Sequence, residues 1–299
     1  MKFILSSDLC RVFLTLALTF SMASCDFINP DEPAPSYIQV DTFLFDPAPT
    51  AANMGPSPST KIKDVWVYVD GVFQGTYELP ARFPVLKTGD TKIILAPGIY
   101  LNGISATHSP YPFYKATEHQ VQLDENGTTL IAPTTRYFDY TECSYREDFE
   151  GSGFSLTETA SSDTSMYQLP AGHPEIFEGA SSGVVYLDTA RQTFEVTSTT
   201  DYLLPGSGKP VYIELDYKIN QVMQVGLFVN LPGPTVEQIP VINLNPTSGW
   251  NKIYIEIGSL VTPYAPSATG FKVYLGAIRQ PGVDKPVFYV DNLKVVNNQ

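Results

Sequence analysis

The chain has 299 residues, 43% of them apolar, 12% aromatic and only 16% charged, with a formal net charge of -13. That length can bury a core without disulfides and accommodates two ordinary domains, while 31 acidic against 18 basic side chains exclude a nucleic-acid partner, which needs clustered Lys and Arg. The 25 prolines and 21 glycines, set among many Tyr, Val, Ile and Thr, favour short strands and turns over helices, so an all-β protein is predicted.

Lys2 and Arg11 flank a weakly charged start, and Val12 to Phe20 is a compact apolar run leading into Ser21-Met22-Ala23-Ser24-Cys25. The run is about half the roughly 20 residues that span a bilayer, so residues 1–24 read as a cleaved signal peptide. Met22-Ala23-Ser24-Cys25 resembles the bacterial lipobox. This implies that Cys25 is diacylated and becomes the mature N-terminus, two acyl chains giving a stable membrane anchor. Residues 25–36 carry Pro30, Pro33 and Pro35 and read as a tether. Loss of Lys2, Asp8 and Arg11 takes the net charge to -14, so the surface repels anionic headgroups and the tether supplies the membrane binding. Asp26, Asp31 and Glu32 beside the anchor, by resemblance to Bacteroidota lipoproteins, imply an outer-membrane or surface location. Once Cys10 is removed and Cys25 lipidated, Cys143 stands alone. No intramolecular disulfide is then expected, and Thr141, Glu142 and Ser144 offer no base or cation to activate the thiol.

Residues 37–139 read as an N-terminal β-sandwich of about seven strands. In Val65-Trp66-Val67-Tyr68-Val69 the valines fall on one face and the aromatics on the other, and Asp70-Gly71 closes a hairpin onto Val72 and Phe73. Further strands are predicted at Lys92 to Leu95, at Tyr100 to Thr107 after a Pro97-Gly98 turn, and at Thr117 to Leu123. Asp124-Glu125-Asn126-Gly127 then turns the chain back through Leu130. The hairpin, Glu78-Leu79-Pro80, Pro97-Gly98-Ile99, Asn102 to Thr107 and Tyr111-Pro112-Phe113-Tyr114 together resemble uncharacterised Bacteroidota surface lipoproteins. The hairpin and its Pro-Gly also resemble PEGA-type domains. Neither likeness implies a reaction.

Residues 145–299 read as a second sandwich. It opens with Glu147-Asp148-Phe149-Glu150-Gly151 and runs through alternating segments at Gly183 to Leu187, Thr193 to Val196, Val211 to Tyr217, Trp250 to Ile257 and Phe271 to Leu275. It closes with Val287 to Val295. An acidic Phe-Glu start, a mid-chain Trp strand and a terminal Asp-Asn strand resemble jelly-roll modules of the galactose-binding and carbohydrate-binding type. In those modules a structural calcium lies where the first and last strands meet, which implies Glu150 and Asp291, with Asp148, as ligands of a Ca²⁺ ion. Asp291 is in phase with Val287, Tyr289, Leu293 and Val295, and on a core face it needs a partner. With Phe288, Val290 and Val296 as the core face, Asp291 lies in solvent instead.

Aromatic rings offer stacking platforms to pyranose faces. Trp250 begins a strand and is expected to pack, whereas the loop residues Tyr202 and Tyr264 are the candidate ligand contacts. Tyr111, Phe113 and Tyr114 gather around Pro110 and Pro112, as in a packed loop. Asp188-Thr189-Ala190 resembles the Bacteroidota O-glycosylation motif, placing a glycan on Thr189 at a turn. Catalytic patterns are weak: His108, His119 and His173 are scattered, and no zinc-protease pattern, nucleophile elbow or phosphate loop appears. The expectation is therefore a lipid-anchored, non-enzymatic binding module whose leading ligand is a glycan. A protein-interaction component of the envelope is the alternative, and a glycoside hydrolase comes third.

Overall fold

The structure, a computed structural model, describes residues 34–48 and 54–298. The predicted signal segment, Cys25 and most of the predicted tether lie outside them. Among the described residues the only helix is α1 (Gly258–Val261), so the all-β expectation holds.

The first sandwich contains β1 (Ser36–Val40), β2 (Leu44–Phe45), β3 (Asp64–Val69), β4 (Val72–Glu78), β5 (Ala81–Val85), β6 (Gly89–Tyr100), β7 (His108–Pro110), β8 (Thr117–Leu123), β9 (Thr128–Leu130) and β10 (Thr134–Thr135). One sheet runs β4-β3-β6-β7 with β8 also on β6, a second runs β5-β1-β9, and β10 pairs with β2. Val65 and Val67 of β3 enter a core with Ile38, Phe83, Ile93 and Leu95, while Trp66 and Tyr68 face outward, as their alternation requires. Asp70 and Gly71 have φ of 48° and 82°, the left-handed pair that matches a two-residue turn to strand twist.

Two expectations are corrected here. Pro97-Gly98 is not a turn but the interior of β6, paired in register with Val65 and Asp64. Gly98 is needed because the Trp66 indole lies where a Cβ would be, at 2.9 Å, and not for a reversal of the chain. The strand expected at Tyr100 to Thr107 is also absent, because β6 ends at Tyr100 and the chain turns before β7 begins at His108. The return through Leu130 is β9, which pairs parallel with β1.

The second sandwich, a jelly roll, contains β11 (Thr141–Glu147), β12 (Leu156–Glu158), β13 (Tyr167–Gln168), β14 (Gly183–Tyr186), β15 (Thr193–Ser198), β16 (Val211–Ile219), β17 (Met223–Asn230), β18 (Val236–Leu244), β19 (Asn251–Glu256), β20 (Gly270–Ile278) and β21 (Val287–Asn298). A six-stranded sheet runs β13-β14-β21-β16-β19 with β11 on β21, and it faces a five-stranded sheet β12-β15-β20-β17-β18. Ile213, Leu215, Phe288, Val290, Leu293 and Val295 from the first meet Phe194, Val225, Leu227, Phe271 and Leu275 from the second. Burial of these apolar faces is the dominant favourable term in folding.

The outer face of the six-stranded sheet is not free. Tyr111, Phe113, Tyr114 and Tyr137 of the first sandwich pack on Tyr212, Tyr254 and Val296 of the second, joining the two units through an aromatic cluster. A charged group lies buried beneath it. Glu214 accepts from Tyr111 Oη at 2.6 Å and from Tyr137 Oη at 2.8 Å, and Lys252 Nζ lies 3.3 Å from Glu214 and 3.5 Å from Asp216. Lys294 is buried beside them, 2% exposed. Burial alone would raise the Glu214 carboxyl, but Lys252, Lys294 and the two phenols hold it below its ordinary value.

Candidate functional site

With one sheet face covered, the outer face of the five-stranded sheet is the broad surface left to the second sandwich. Its shape follows from alternation. In β20, Phe271, Val273 and Leu275 point into the core, leaving Lys272, Tyr274 and Gly276 on the outer face, where Tyr274 is nevertheless only 1% exposed; in β17, Gln224, Gly226 and Phe228 are on that face. Gly226 and Gly276 contribute no side chain, and the Tyr274 ring occupies the space above Gly226. Tyr274 donates to Gln224 Oε1 at 2.8 Å and packs against Phe228 with ring centroids 5.0 Å apart.

Gln238 on β18 donates to Glu195 on β15 at 2.6 Å. Those strands are separated by β17 and β20, three spacings of about 4.8 Å, so the two side chains meet only because this face is concave. The result is a cleft of about 530 Å³ lined by Glu195, Gln224, Asn243, Tyr274, Gly276 and Arg279 among others. Gln224 Nε2 donates to Asn243 Oδ1 at 3.3 Å, a weak contact that leaves both amides hydrogen-bonding capacity. Glu195 is the only carboxylate in the lining. None of these residues stood out in the sequence, because the cleft is assembled from four strands distant along the chain.

The residues the sequence did single out fall elsewhere. Tyr202 is not exposed: it is 9% accessible, bridges Phe271 and stacks on Tyr145 at 5.9 Å. Tyr264 is half-buried against the core and donates to Glu237 at 2.8 Å, outside the cleft. Trp250 packs with Phe177 and Tyr289 in a satellite cluster on the outer face of the six-stranded sheet. Thr189 is exposed in the connection from β14 to β15, where Asp188 accepts from the Ala190 and Arg191 amides at 2.8 Å. Cys143 is buried, and burial pushes its thiol up to about 12.

The carboxylates implied for calcium lie close in the fold but each has a protein partner. Glu150 accepts from the Ala180 amide at 2.9 Å, Asp148 lies 3.3 Å from Arg146, and Asp291 accepts from Ser182 Oγ at 2.6 Å and from the Asn292 amide at 2.8 Å. Among the described residues no group of three or more His, Cys, Asp or Glu is arranged to hold a metal ion. Both readings of the Asp291 face are incomplete. Phe288 and Val290 are core, but so are Leu293 and Val295, because Asn292 adopts φ 47° and the pairing with β16 shifts between Glu214 and Asp216. Asp291 thus lies on the outer face and is nevertheless buried, covered by Ser182. Burial, more than the nearby Asp216 and Glu178, raises its carboxyl to about 8.

No family model matches the chain and no curated protein matches it. Solved structures resemble it at low identity. The C-terminal family 22 carbohydrate binding module of Clostridium thermocellum Xyn10B is 16% identical over 52% of this chain and 93% of its own, with a TM-score of 0.36. A carbohydrate-binding module from the β-sandwich superfamily is 14% identical over 89% and 99%, TM-score 0.39. The enzymatically active domain of bacteriophage CBA120 tailspike protein 4 is 12% identical over 57% and 25%, TM-score 0.39. Two of these neighbours are named for carbohydrate binding and one for enzymatic activity.

Proposed function

We propose that the protein binds neutral glycans in the concave cleft of its second sandwich and is held at the outer membrane through a lipid on Cys25. The observation that carries the binding reading is the lining. A trough of about 530 Å³ that offers the amide donors and acceptors of Gln224 and Asn243 beside the buried Tyr274 suits the hydroxyls of a sugar. Hydrolysis is less well supported, since glycosidases place two carboxyl groups about 5–10 Å apart and the lining holds Glu195 alone. An envelope-assembly role would call for a broad exposed apolar patch, whereas this trough is edged by Glu195, Gln224, Asn243 and Arg279.

The test is affinity electrophoresis and calorimetry of the mature chain against xylan, mixed-linkage glucan, galactan and mannan. Retention by at least one polymer, reduced about tenfold or more in Gln224→Ala/Asn243→Ala with an unchanged melting curve, supports the reading; retention that ignores the cleft variants removes it. The anchor is tested separately. Cys25→Ala is expected to lose acyl labelling and to leave the membrane fraction, and an unchanged distribution defeats the lipoprotein reading.

A further inference from the structure

The first sandwich carries an aromatic surface that the cleft does not use. Asp64, Trp66 and Tyr68 alternate outward along β3. The Trp66 indole lies across β6, with Cδ1 and Nε1 each 2.9 Å from where a Cβ on Gly98 would be. Phe73, 49% exposed on β4, stands 5.6 Å from Trp66 at an interplanar angle of 33° and 5.3 Å from Tyr68. Three rings thus form a row across two strands.

Polar groups gather beside Trp66. Asp64 Oδ2 is 2.5 Å from His108 Nδ1, and Tyr100 donates to Glu78. The Asp64 side chain is fully buried, while that of His108 is 36% exposed. Asp64 Oδ1 and Trp66 Nε1 are both without a hydrogen-bond partner, and Asp64 Oδ1 lies 2.9 Å from the same point above Gly98. Both atoms lie beneath the accessible surface, so a ligand on this face meets the more exposed groups around them, Glu78, Tyr100 and His108.

We propose that this face is a second carbohydrate-binding surface, on which a neutral sugar ring stacks on Trp66 and Phe73 and directs hydroxyls to Glu78, Tyr100 and His108. A pyranose presents an apolar C–H face edged by hydroxyls, which matches flat rings with a rim of donors and acceptors on one side. An apolar peptide surface would leave the rim of Glu78, Tyr100 and His108 unused, and a uronic acid would meet the Glu78 carboxylate with Asp64 beneath it. The surface shares no residue with the cleft, so either site can fail alone.

The chain has two tryptophans, which makes the test direct. In the mature chain carrying Trp250→Phe, Trp66 is the only indole, and its emission is read during titration with xylan, mixed-linkage glucan, galactan and mannan. The expected result is a saturable quench or shift with at least one of them. Trp66→Ala in a protein whose cleft carries Gln224→Ala/Asn243→Ala should weaken retention by that polymer at least fivefold. Should Trp66→Ala disturb melting, Phe73→Ala, on an exposed ring, makes the same test with a smaller loss, and His108→Ala tests the rim. Emission that no polymer changes, or retention that Trp66→Ala and Phe73→Ala leave intact, overturns the proposal.

Discussion

Replacing Glu214 by Gln removes one charge from a buried group with almost no change of size. Glu214, Asp216, Lys252 and Lys294 are each 5% exposed or less, and their two negative and two positive charges balance. In Glu214→Gln, Lys252 and Lys294 keep Asp216 as the one counter-charge of that group, and the Tyr111 and Tyr137 hydroxyls lose a charged acceptor. Breaking a buried pair in this way costs about 3–5 kcal/mol. For a unit of 150–250 residues each kcal/mol moves the melting temperature by about 2–4 °C, so a drop of roughly 6–20 °C is expected by calorimetry. The companion variant is Glu214→Gln/Lys294→Met, which restores neutrality with an apolar side chain. The pair should recover a coupling energy of about 1–3 kcal/mol relative to the sum of the single changes. A single-variant cost below about 1 kcal/mol, the level of an exposed ion pair, or strict additivity of the two changes, would refute the reasoning.

Asp291 carries a pH dependence of known sign. Its folded carboxyl is raised to about 8, so the stability it contributes is fully present below the unfolded value near 4 and is lost as pH rises through about 8. The slope between is about 1.4 kcal/mol per pH unit, and urea titrations of Asp291→Asn should show it flattened. Calcium is the independent arm: an ion bound by Asp291, Glu150 and Asp148 would keep Asp291 ionised, flatten the same slope and, at a hundred times its dissociation constant, add about 2.7 kcal/mol. Identical curves with EDTA and with excess calcium remove the ion. Cys143, buried and pushed up to about 12, should resist thiol reagents in the native protein and react only on unfolding; labelling at the rate of a free thiol contradicts its placement. Thr189 is exposed and open to modification, and intact mass of protein from its native cell should show a glycan lost in Thr189→Ala. An unmodified native mass disposes of that expectation.

Much of the fold was legible because alternation is a local property. The valines of β3, the Asp70-Gly71 turn and the segments that became β14, β15, β16, β19, β20 and β21 follow from residue types along one strand at a time. β17 and β18 were passed over. Met223, Val225, Leu227 and Val229 do alternate, but Gly226 interrupts β17 and Pro240 lies within β18, and both residues argue against a strand unless the strand is bulged or at an edge. Both conditions are met, since β18 is the edge of its sheet and the pairing slips between Val225 and Gly226.

What alternation cannot supply is which face another part of the chain covers. Asp291 is buried because Ser182 lies on it and because a bulge at Asn292 changes the phase of β21, and Ser182 comes from a strand entry 109 residues earlier in the chain. Tyr202 is buried because its loop lies against Phe271, and Tyr111 and Tyr137 are ligands of Glu214 and not a surface because the two sandwiches meet there. The cleft has the same origin: Glu195, Gln224, Asn243 and Tyr274 are ordinary polar positions on four strands until sheet curvature turns them toward one trough. The outward face of each strand was written in its own residues, while its partner or its exposure was decided by long-range packing, whose energy depends on surfaces brought together only when the chain is folded.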